Sequence, residues 1–512
     1  MRKSDARAYI IWGVLLFFQE GVAASDAQSK KETVFHQQID VTSSLKGTTS
    51  PIANLYVTDR EFEEAVRFLG QLVAIPSVSN PNSPDYTMEH LTSAARCIER
   101  KLNDLGFNVS CPSIEGSAPF IIAEWVSDLR KPTLLLYAHY DVQPVDREKW
   151  ISNPFIMEER DGRLYGRGAS DDKAGIIAII TALEAYLKSV RELPVNVKLL
   201  FEGEEEYGSS HMKTLLKQRF QDLQADALIV LDGLNRDIHT GTLTSSTRGL
   251  VNIHLKINAL EKPVHSGIGC LVPDPAQALA GLIYSLRDPK AIPGFMDNCQ
   301  VLSNQEREIL ARDSQSSESY AKEMGVVQSA CLRGNPKESI YERIVQEPSI
   351  SVVNMHCGQP NGGNSIQESA SCTIGIRLTP GQDPDQIVNA VINYLESQAK
   401  VYNLPIEVHP KEKGSWPWKA DLAGPFSKQY FEALGENFRG ISAMPIGGAL
   451  PLLRDFQEIF PSMEMIVPAV EDPHTSAHSH NESQDLTIFR NSINALIAFF
   501  YKAGQMPRTT PL

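Results

Sequence analysis

The sequence lacks a surplus of basic residues, a paired-cysteine motif, and any internal repeat or low-complexity tract. Lys and Arg total 48 against 62 Asp and Glu, which gives a formal net charge of −14. Contacts to phosphates need clustered basic side chains, so this balance argues against nucleic-acid binding. The seven cysteines are scattered without a CxxC pair, and the odd number leaves at least one thiol free. Cys299 with Cys331 is one candidate disulfide.

A hydrophobic run of membrane-spanning length is also missing. The apolar run at residues 8–18 follows basic residues and has about 11 residues, against the roughly 20 that a spanning helix needs. Small residues then offer a cleavage site before Ser25. We expect a signal peptide at 1–24, a loose leader at 25–53, and a secreted or periplasmic mature protein without membrane contact. An uncleaved membrane anchor is the alternative.

The remaining chain has the composition of a folded protein with more than one core. Its length of 512 residues exceeds what one ordinary hydrophobic core accommodates. A continuous apolar run at 133–137 and two further predicted strands, at 195–201 and 227–231, alternate with segments of helical periodicity. An apolar run without alternation is typical of a strand that is covered on both faces. The sequence therefore predicts an α/β fold built around a buried sheet.

The pattern changes from about residue 247. Apolar residues alternate with polar ones in 250–257 and 371–378, as in strands with one exposed face. Helical segments follow each of these strands, and residues 294–348 have the composition of a helical insertion. We therefore predict that a smaller α+β domain with an antiparallel sheet interrupts the larger domain. The predicted limits are 54–246 for the first part of the larger domain, 247–412 for the smaller domain and 413–512 for the second part.

Four short segments carry His, Asp and Glu side chains, and those at His139, Glu204 and Asp232 follow predicted strands. They are residues 137–141, 166–173, 202–209 and 478–482, with Asp232 between the last two. Ligands in open α/β sheets meet at the carboxyl ends of strands. Imidazoles mixed with carboxylates suit borderline divalent ions such as Zn²⁺, with Mn²⁺ and Co²⁺ as alternatives. A single His-x-Asp pair or a run of glutamates is commonly an ordinary solvated surface, so the prediction depends on the combination.

Two metal ions close together repel each other, and a bridging carboxylate on a rigid turn would hold them. Asp171 lies after a glycine-rich turn and before a helix, and it suits this role. Glu205, beside a candidate ligand, is placed to take a proton from water. Asp141 follows His139 by two residues and is placed to orient that imidazole. The candidate metal ligands are His139, Asp171, Glu206, Asp232 and His478.

The order and spacing of these motifs resemble the M20 metallopeptidase family, and within it the dipeptidase branch with carnosinase-like enzymes. The resemblance covers about residues 55–505. The matching motifs are His139-x-Asp141, Gly166-Arg167-Gly168 with Asp171-Asp172-Lys173, Glu205-Glu206-x-Gly208-Ser209, Asp232, His265-Ser266-Gly267, Ile376-Arg377-Leu378, Gly447-Gly448 and His478 to Glu482.

The resemblance implies a dizinc amide hydrolase that cleaves dipeptides or removes C-terminal amino acids from peptides. His139, Asp171 and Asp232 would bind one ion. Asp171, Glu206 and His478 would bind the other. Glu205 would act as general base and then as general acid.

The resemblance also assigns roles in the smaller domain, which would be a lid and dimerisation domain in a homodimer. His265 would stabilise the oxyanion, typically in the site of the partner subunit. Arg377 would hold the C-terminal carboxylate of the substrate through two hydrogen bonds, with help from the Gly447–Gly448 loop.

Two positions depart from the family pattern. Ala174 lies between Lys173 and Gly175, where the dipeptidase branch usually has Lys followed directly by Gly. Ile446 precedes Gly447 at a position where carnosinase-like members usually carry a glutamate that contacts the free amine of the substrate. Isoleucine cannot accept that contact, so an N-acyl-amino-acid deacylase is an alternative function. A non-catalytic binding protein on the same fold is the alternative of a different class.

Overall fold

The computed structural model describes residues 55–358 and 363–507. The predicted signal peptide and leader at 1–53 lie outside these residues and remain predictions. No described helix combines the length and apolarity that crossing a bilayer requires. The seven cysteines are all free thiols, so the candidate disulfide between Cys299 and Cys331 is not formed.

Helices and strands occur throughout the described chain. The helices are α1 Asp59–Val73, α2 Met88–Asp104, α3 Lys173–Ser189, α4 Met212–Gln218, α5 Phe220–Leu223, α6 Pro275–Ser285, α7 Asn304–Asp313, α8 Ser317–Glu323, α9 Ile340–Gln346, α10 Pro384–Ala399, α11 Pro425–Asn437, α12 Pro451–Ile459 and α13 Leu486–Gly504. The strands are β1 Asn108–Ser110, β2 Ile121–Trp125, β3 Thr133–His139, β4 Glu158–Arg160, β5 Arg163–Tyr165, β6 Asn196–Glu202, β7 Ala227–Val230, β8 Gly233–Leu234, β9 Thr240–Thr247, β10 Gly249–Asn258, β11 Val264–His265, β12 Ser349–His356, β13 Ser365–Ile366, β14 Ser369–Leu378, β15 Ile406–Pro410, β16 Trp418–Lys419, β17 Gly440–Pro445, β18 Glu464–Ile466, β19 Ala469–Glu471 and β20 Ser483–Asp485.

The largest sheet has six strands in the order β1-β2-β6-β3-β7-β18. Strands β6, β3, β7 and β18 are parallel, whereas β2 is antiparallel to β6 and to β1. All seven residues of β3 are buried, because helices cover both faces of the sheet. Helices α1, α3 and α13 pack on one face, and α4 and α12 pack on the other. The predicted mixed α/β fold is confirmed.

A second sheet is antiparallel and has the order β12-β14-β10-β15. Every second residue of β10 is buried, because one face of this sheet packs against α6 and α10. The strands expected at 250–257 and 371–378 are confirmed as β10 and β14, each within two residues. The exact limits of the smaller domain remain a prediction.

The insertion expected at 294–348 is helical, and it packs against the larger domain. Helices α7 and α9 contribute Leu310, Ile340 and Tyr341 to a small apolar cluster that also contains Met444 of β17. The Ser442 hydroxyl donates a hydrogen bond to Asp313 at 3.1 Å. This contact places the insertion beside the Gly447–Gly448 loop.

Candidate metal centre

Two groups of side chains in the larger domain have the geometry to hold metal ions. Each group offers donor atoms that lie within 4.8 Å of one another. The first contains His139, Glu205 and Asp232, and the second contains Asp171, Glu206 and His478. The structure therefore brings together all five predicted ligands and the predicted base, although it groups Glu205 with the first set.

Asp171 lies between the two imidazoles. Its Oδ1 is 3.1 Å from His139 Nε2, and its Oδ2 is 3.0 Å from His478 Nε2. The same His478 nitrogen is 3.1 Å from Glu206 Oε2. One carboxylate with an oxygen toward each imidazole is the arrangement that a bridging ligand needs. Glu205 Oε2 stands farther from His139 Nε2, at 4.0 Å.

Electrostatics in this cluster favour cations. Burial, together with the neighbouring Asp171 and Glu206 carboxylates, raises the pKa of Asp232 to about 7. Burial also raises the pKa of Glu205 well above its usual range. Hydrogen bonds to Asp171 and Glu206 raise the pKa of His478 to about 11. Crowded carboxyls that resist ionisation are stabilised by positive charge between them, so the donor set fits divalent metal ions.

Asp141 holds two members of the first group, His139 and Glu205, in position. Its carboxylate accepts hydrogen bonds from the backbone N–H of Glu205 at 3.2 Å and of Glu206 at 3.0 Å. Its Oδ1 also lies 3.3 Å from His139 Nδ1. Asp141 therefore fixes the imidazole, as the sequence predicts, and it also fixes the turn that carries the candidate base. It acts as a positioning residue in this structure.

The three consecutive glutamates do not form a solvated face. Glu204 turns away from the cluster, accepting hydrogen bonds from Ala118 N at 2.8 Å and from His211 Nδ1 at 2.7 Å. Glu205 and Glu206 turn toward the imidazoles. Glu204 precedes a short 3₁₀ turn at Glu205–Tyr207, which begins three residues after the end of β6 and carries the other two glutamates.

Glu482 is a fully buried residue with a structural role that the sequence alone does not reveal. Its Oε1 accepts hydrogen bonds from Ser170 N and Asp171 N, and its Oε2 accepts from Gly168 N. Arg167 Nη1 forms an ion pair with Oε2 at 2.6 Å. One carboxylate thus joins the glycine-rich turn to the segment that carries His478. The only signal in the sequence was its place at the end of the last motif.

The loop that carries His478 has an unusual backbone. Ser476, His478 and Asn481 have φ values of 56°, 59° and 59°, in the left-handed region that residues other than glycine rarely adopt. Asn481 Oδ1 accepts a hydrogen bond from Ile151 N at 2.8 Å, which helps to hold this conformation. Neither His474 nor His480 belongs to a ligand group. The left-handed turn at His478 directs its imidazole, and not those of the neighbouring histidines, toward Asp171.

The predicted substrate-binding residues lie outside the six clustered side chains. His265 ends β11, is exposed, and accepts a hydrogen bond from Gly267 N at 3.0 Å through Nδ1. Arg377 is in β14. Within the described parts of the chain, no hydrogen bond or ion pair joins His265 or Arg377 to the cluster. Gly447 and Gly448 follow β17, and a side-chain carbon at either position would meet open space.

Arg248 connects Arg377 to the Gly447–Gly448 loop. Its backbone N–H donates to Gly448 O at 2.9 Å, and its Nη2 donates to Arg377 O at 3.0 Å and to Glu347 O at 2.6 Å. The glycine loop and the strand that carries Arg377 are therefore held by one residue at the junction of β9 and β10, the loop through its backbone and the strand through its largely buried side chain.

Comparisons with known proteins agree with this architecture. The relatives include the Beta-Ala-His dipeptidase of Rattus norvegicus, which is 28% identical over 88% of this chain and 94% of its own length. The Cysteinylglycine-S-conjugate dipeptidase of Corynebacterium striatum is also 28% identical, over 90% of this chain and all of its own. The crystal structure of human carnosine dipeptidase 1 superposes with a TM-score of 0.75 at 26% identity, covering 88% of this chain and 97% of that one. The model of peptidase family M20/M25/M40 matches residues 135–502, and the chain belongs to this family.

Proposed function

We propose that this protein is a metal-dependent dipeptidase that uses two divalent ions, with Zn²⁺ best suited to its donor set. The observation that carries the proposal is the placement of Asp171, with one oxygen toward each of two imidazoles. Two imidazoles with carboxylates match the ligands of catalytic zinc sites. The names of the curated relatives give dipeptides as their substrates. They favour peptide hydrolysis over deacylation or simple binding.

When bound, the two ions would polarise the scissile carbonyl and lower the pKa of a water molecule. Glu205 then takes a proton from that water, because its carboxylate lies beside the candidate ligands His139 and Asp232. The same carboxyl delivers the proton to the leaving amine. Asp141 keeps Glu205 in place through the backbone of the turn.

Arg377 is the group that we assign to the C-terminal carboxylate of the substrate. Burial lowers the pKa of its guanidinium, and no described carboxylate forms an ion pair with it. A largely buried, unpaired guanidinium is ready to form two hydrogen bonds with an incoming carboxylate. The glycine loop, joined to the same strand through Arg248, offers backbone groups that no side chain covers.

A substrate panel tests the proposal directly. Purified protein supplied with Zn²⁺ or Mn²⁺ is expected to release the C-terminal amino acid from free dipeptides. Dipeptides with an amidated C-terminus should be cleaved about 10- to 100-fold less efficiently, because they leave Arg377 without a charged partner. Release is measured by chromatography of the free amino acid. Faster cleavage of N-acyl amino acids than of any dipeptide would favour the deacylase, and no cleavage with both metals bound would contradict the proposal.

We also propose that two chains form a dimer through the smaller sheet. Strand β12 is an edge strand, and it exposes Val352, Val353 and Met355 by 41, 60 and 64%. Apolar side chains on an unpaired strand edge are a common feature of surfaces that associate. In such a dimer, the exposed His265 of one chain would act in the metal-binding site of the other chain.

Mixing two inactive variants tests whether His265 acts across the dimer. His265→Ala is expected to lower kcat about 100-fold, because the oxyanion loses a donor. In a heterodimer with Glu205→Gln, one site would regain both Glu205 and His265. The purified heterodimer should therefore show about half of wild-type activity, and an unseparated statistical mixture about a quarter. The two variants are co-expressed with different tags, and activity is measured on the purified heterodimer and on each homodimer. Failure of the heterodimer to exceed the homodimers would contradict action in trans.

A further inference from the structure

Glu471 lies close to the metal-binding groups, and its carboxylate has no role in the proposed hydrolysis. It ends β19, seven residues before His478 in the chain. Its Oε1 is buried and has no hydrogen-bond partner. No cation in the described parts of the chain forms an ion pair with either of its oxygens. A buried acceptor without a partner is unfavourable, so such a group calls for a ligand.

The backbone of Glu471 is firmly held. Its carbonyl accepts hydrogen bonds from both the backbone N–H and the side-chain Nδ2 of Asn235, each at 2.9 Å. Strand β19 also pairs in parallel with β8, which begins directly after Asp232. The carboxylate is therefore attached to the same rigid edge as one of the candidate metal ligands.

Glu471 lines a cavity of about 360 Å³ beside the metal-binding groups. Ile446 and Gly447 of the glycine loop form part of its wall, and Ser476 and Ala477, next to His478, form another part. The volume is that of a small-ligand site. A substrate whose scissile bond lies at the metal centre has room in this cavity for its N-terminal residue.

The other charged groups of the cavity wall already have partners. Asp472 forms an ion pair with Arg163 at 2.9 Å. Arg236 is paired with Asp237 at 3.2 Å. Ile446 is apolar. Glu471 is therefore the carboxylate of this wall that is left to bind a cation.

We propose that Glu471 binds the free amino group at the N-terminus of the substrate and thereby makes the enzyme selective for peptides with an unblocked amine. This inference rests on the proposed dipeptidase function and names the group that recognises one end of its substrate. An ammonium brings three donors and one positive charge, which match a partly buried carboxylate that forms no ion pair within the described residues.

The test compares free and N-acetylated forms of the same dipeptides in the Glu471→Gln variant. Glutamine keeps the size of the side chain and removes its charge. For free dipeptides kcat/KM is expected to fall about 10- to 100-fold, mainly through KM, because a charged hydrogen bond is lost. For N-acetylated dipeptides it should change less than about 3-fold, which is the scatter of a conservative substitution. Glu471→Asp, which keeps the charge, should retain part of the preference.

Two controls separate this role from a structural one. Metal content is measured in each variant, because loss of metal would lower activity on both substrate classes equally. Asp472→Asn changes the neighbouring carboxylate of the same cavity, which is already paired with Arg163, and it should affect both classes by the same factor. An equal loss on both classes in Glu471→Gln, or no loss at all, would overturn the inference.

Binding is measured separately from turnover, so that the inference and the proposed function can fail independently. Calorimetry with the Glu205→Gln variant compares a free dipeptide with its N-acetyl form, with and without Glu471→Gln. If wild-type protein cleaves nothing but binding of the free dipeptide still depends on Glu471, the dipeptidase function fails and the inference stands. If cleavage occurs and neither binding nor KM depends on Glu471, the inference alone fails.

Discussion

Replacing Glu205 with glutamine is expected to lower kcat for dipeptide hydrolysis by about 10³-fold or more, while two metal ions stay bound per chain. Glutamine has the same shape but cannot accept a proton from water, so the step that activates the water loses its base. KM should change little, because the side chain does not hold the substrate. Steady-state kinetics are measured beside metal analysis of the same preparation.

Glu204→Gln is the matched control for this variant. It makes the same chemical change one residue away, in a carboxylate that turns from the cluster to bind Ala118 N and His211. Its kcat should stay within about 5-fold of wild type, as for a substitution outside the reacting groups. If Glu205→Gln instead loses one metal ion, Glu205 is a ligand, in keeping with its position beside His139 and Asp232. That outcome would remove it from the role of base.

Removal of the metal ions is expected to abolish hydrolysis and to destabilise the fold. Chelation would leave Asp171, Glu205, Glu206 and Asp232 crowded together without compensating charge. The thermal unfolding midpoint of the metal-free protein should therefore fall by several degrees, since a bound ligand stabilises the state that binds it. Scanning calorimetry checks the midpoint, and activity should return when Zn²⁺ or Mn²⁺ is added. Full activity after verified chelation would contradict a metal-dependent mechanism.

The metal-free protein should also respond to pH in a specific direction. The pKa of Asp232 rises from 3.8 to about 7 through burial. Between these values the folded state holds a proton that the unfolded state has released, so stability falls as the pH rises through this window. The unfolding midpoint of the chelated protein should therefore decrease from about pH 4 to about pH 7. Bound metal would hold Asp232 ionised and remove this part of the dependence.

The secondary structure could be predicted where one periodicity covered a whole element. The continuous apolar run at Thr133 became β3 because helices cover both faces of the sheet, and the alternation in 250–257 became β10 because only one face is covered. Short strands such as β4, β8 and β11 were missed. They have two or three residues, too few to show a period, and they form because distant partners hold them.

The clustering of the candidate ligands could be predicted because all of them except His478 lie at or just after the end of a strand, or after a glycine-rich turn. Glu471 and Glu482 could not, since their importance depends on what surrounds them. Glu482 meets four donors from a segment more than 300 residues away. Glu471 meets none. Nothing in the residues next to either glutamate distinguishes these two situations. A pattern of residue types also could not predict the orientation of His478, because the left-handed backbone at this residue sets it.

The anchoring role of Glu482 has a consequence for the order of events during synthesis. The glycine-rich turn with Asp171 leaves the ribosome long before Glu482, yet its backbone N–H groups find their acceptor only in that late carboxylate. His478, the imidazole beside Asp171 Oδ2, is made just before it. A nascent chain that has not passed residue 478 thus lacks one candidate ligand, and a chain that ends before residue 482 lacks the carboxylate that holds Asp171 in place. Such a chain cannot hydrolyse peptides around it before these residues have been made.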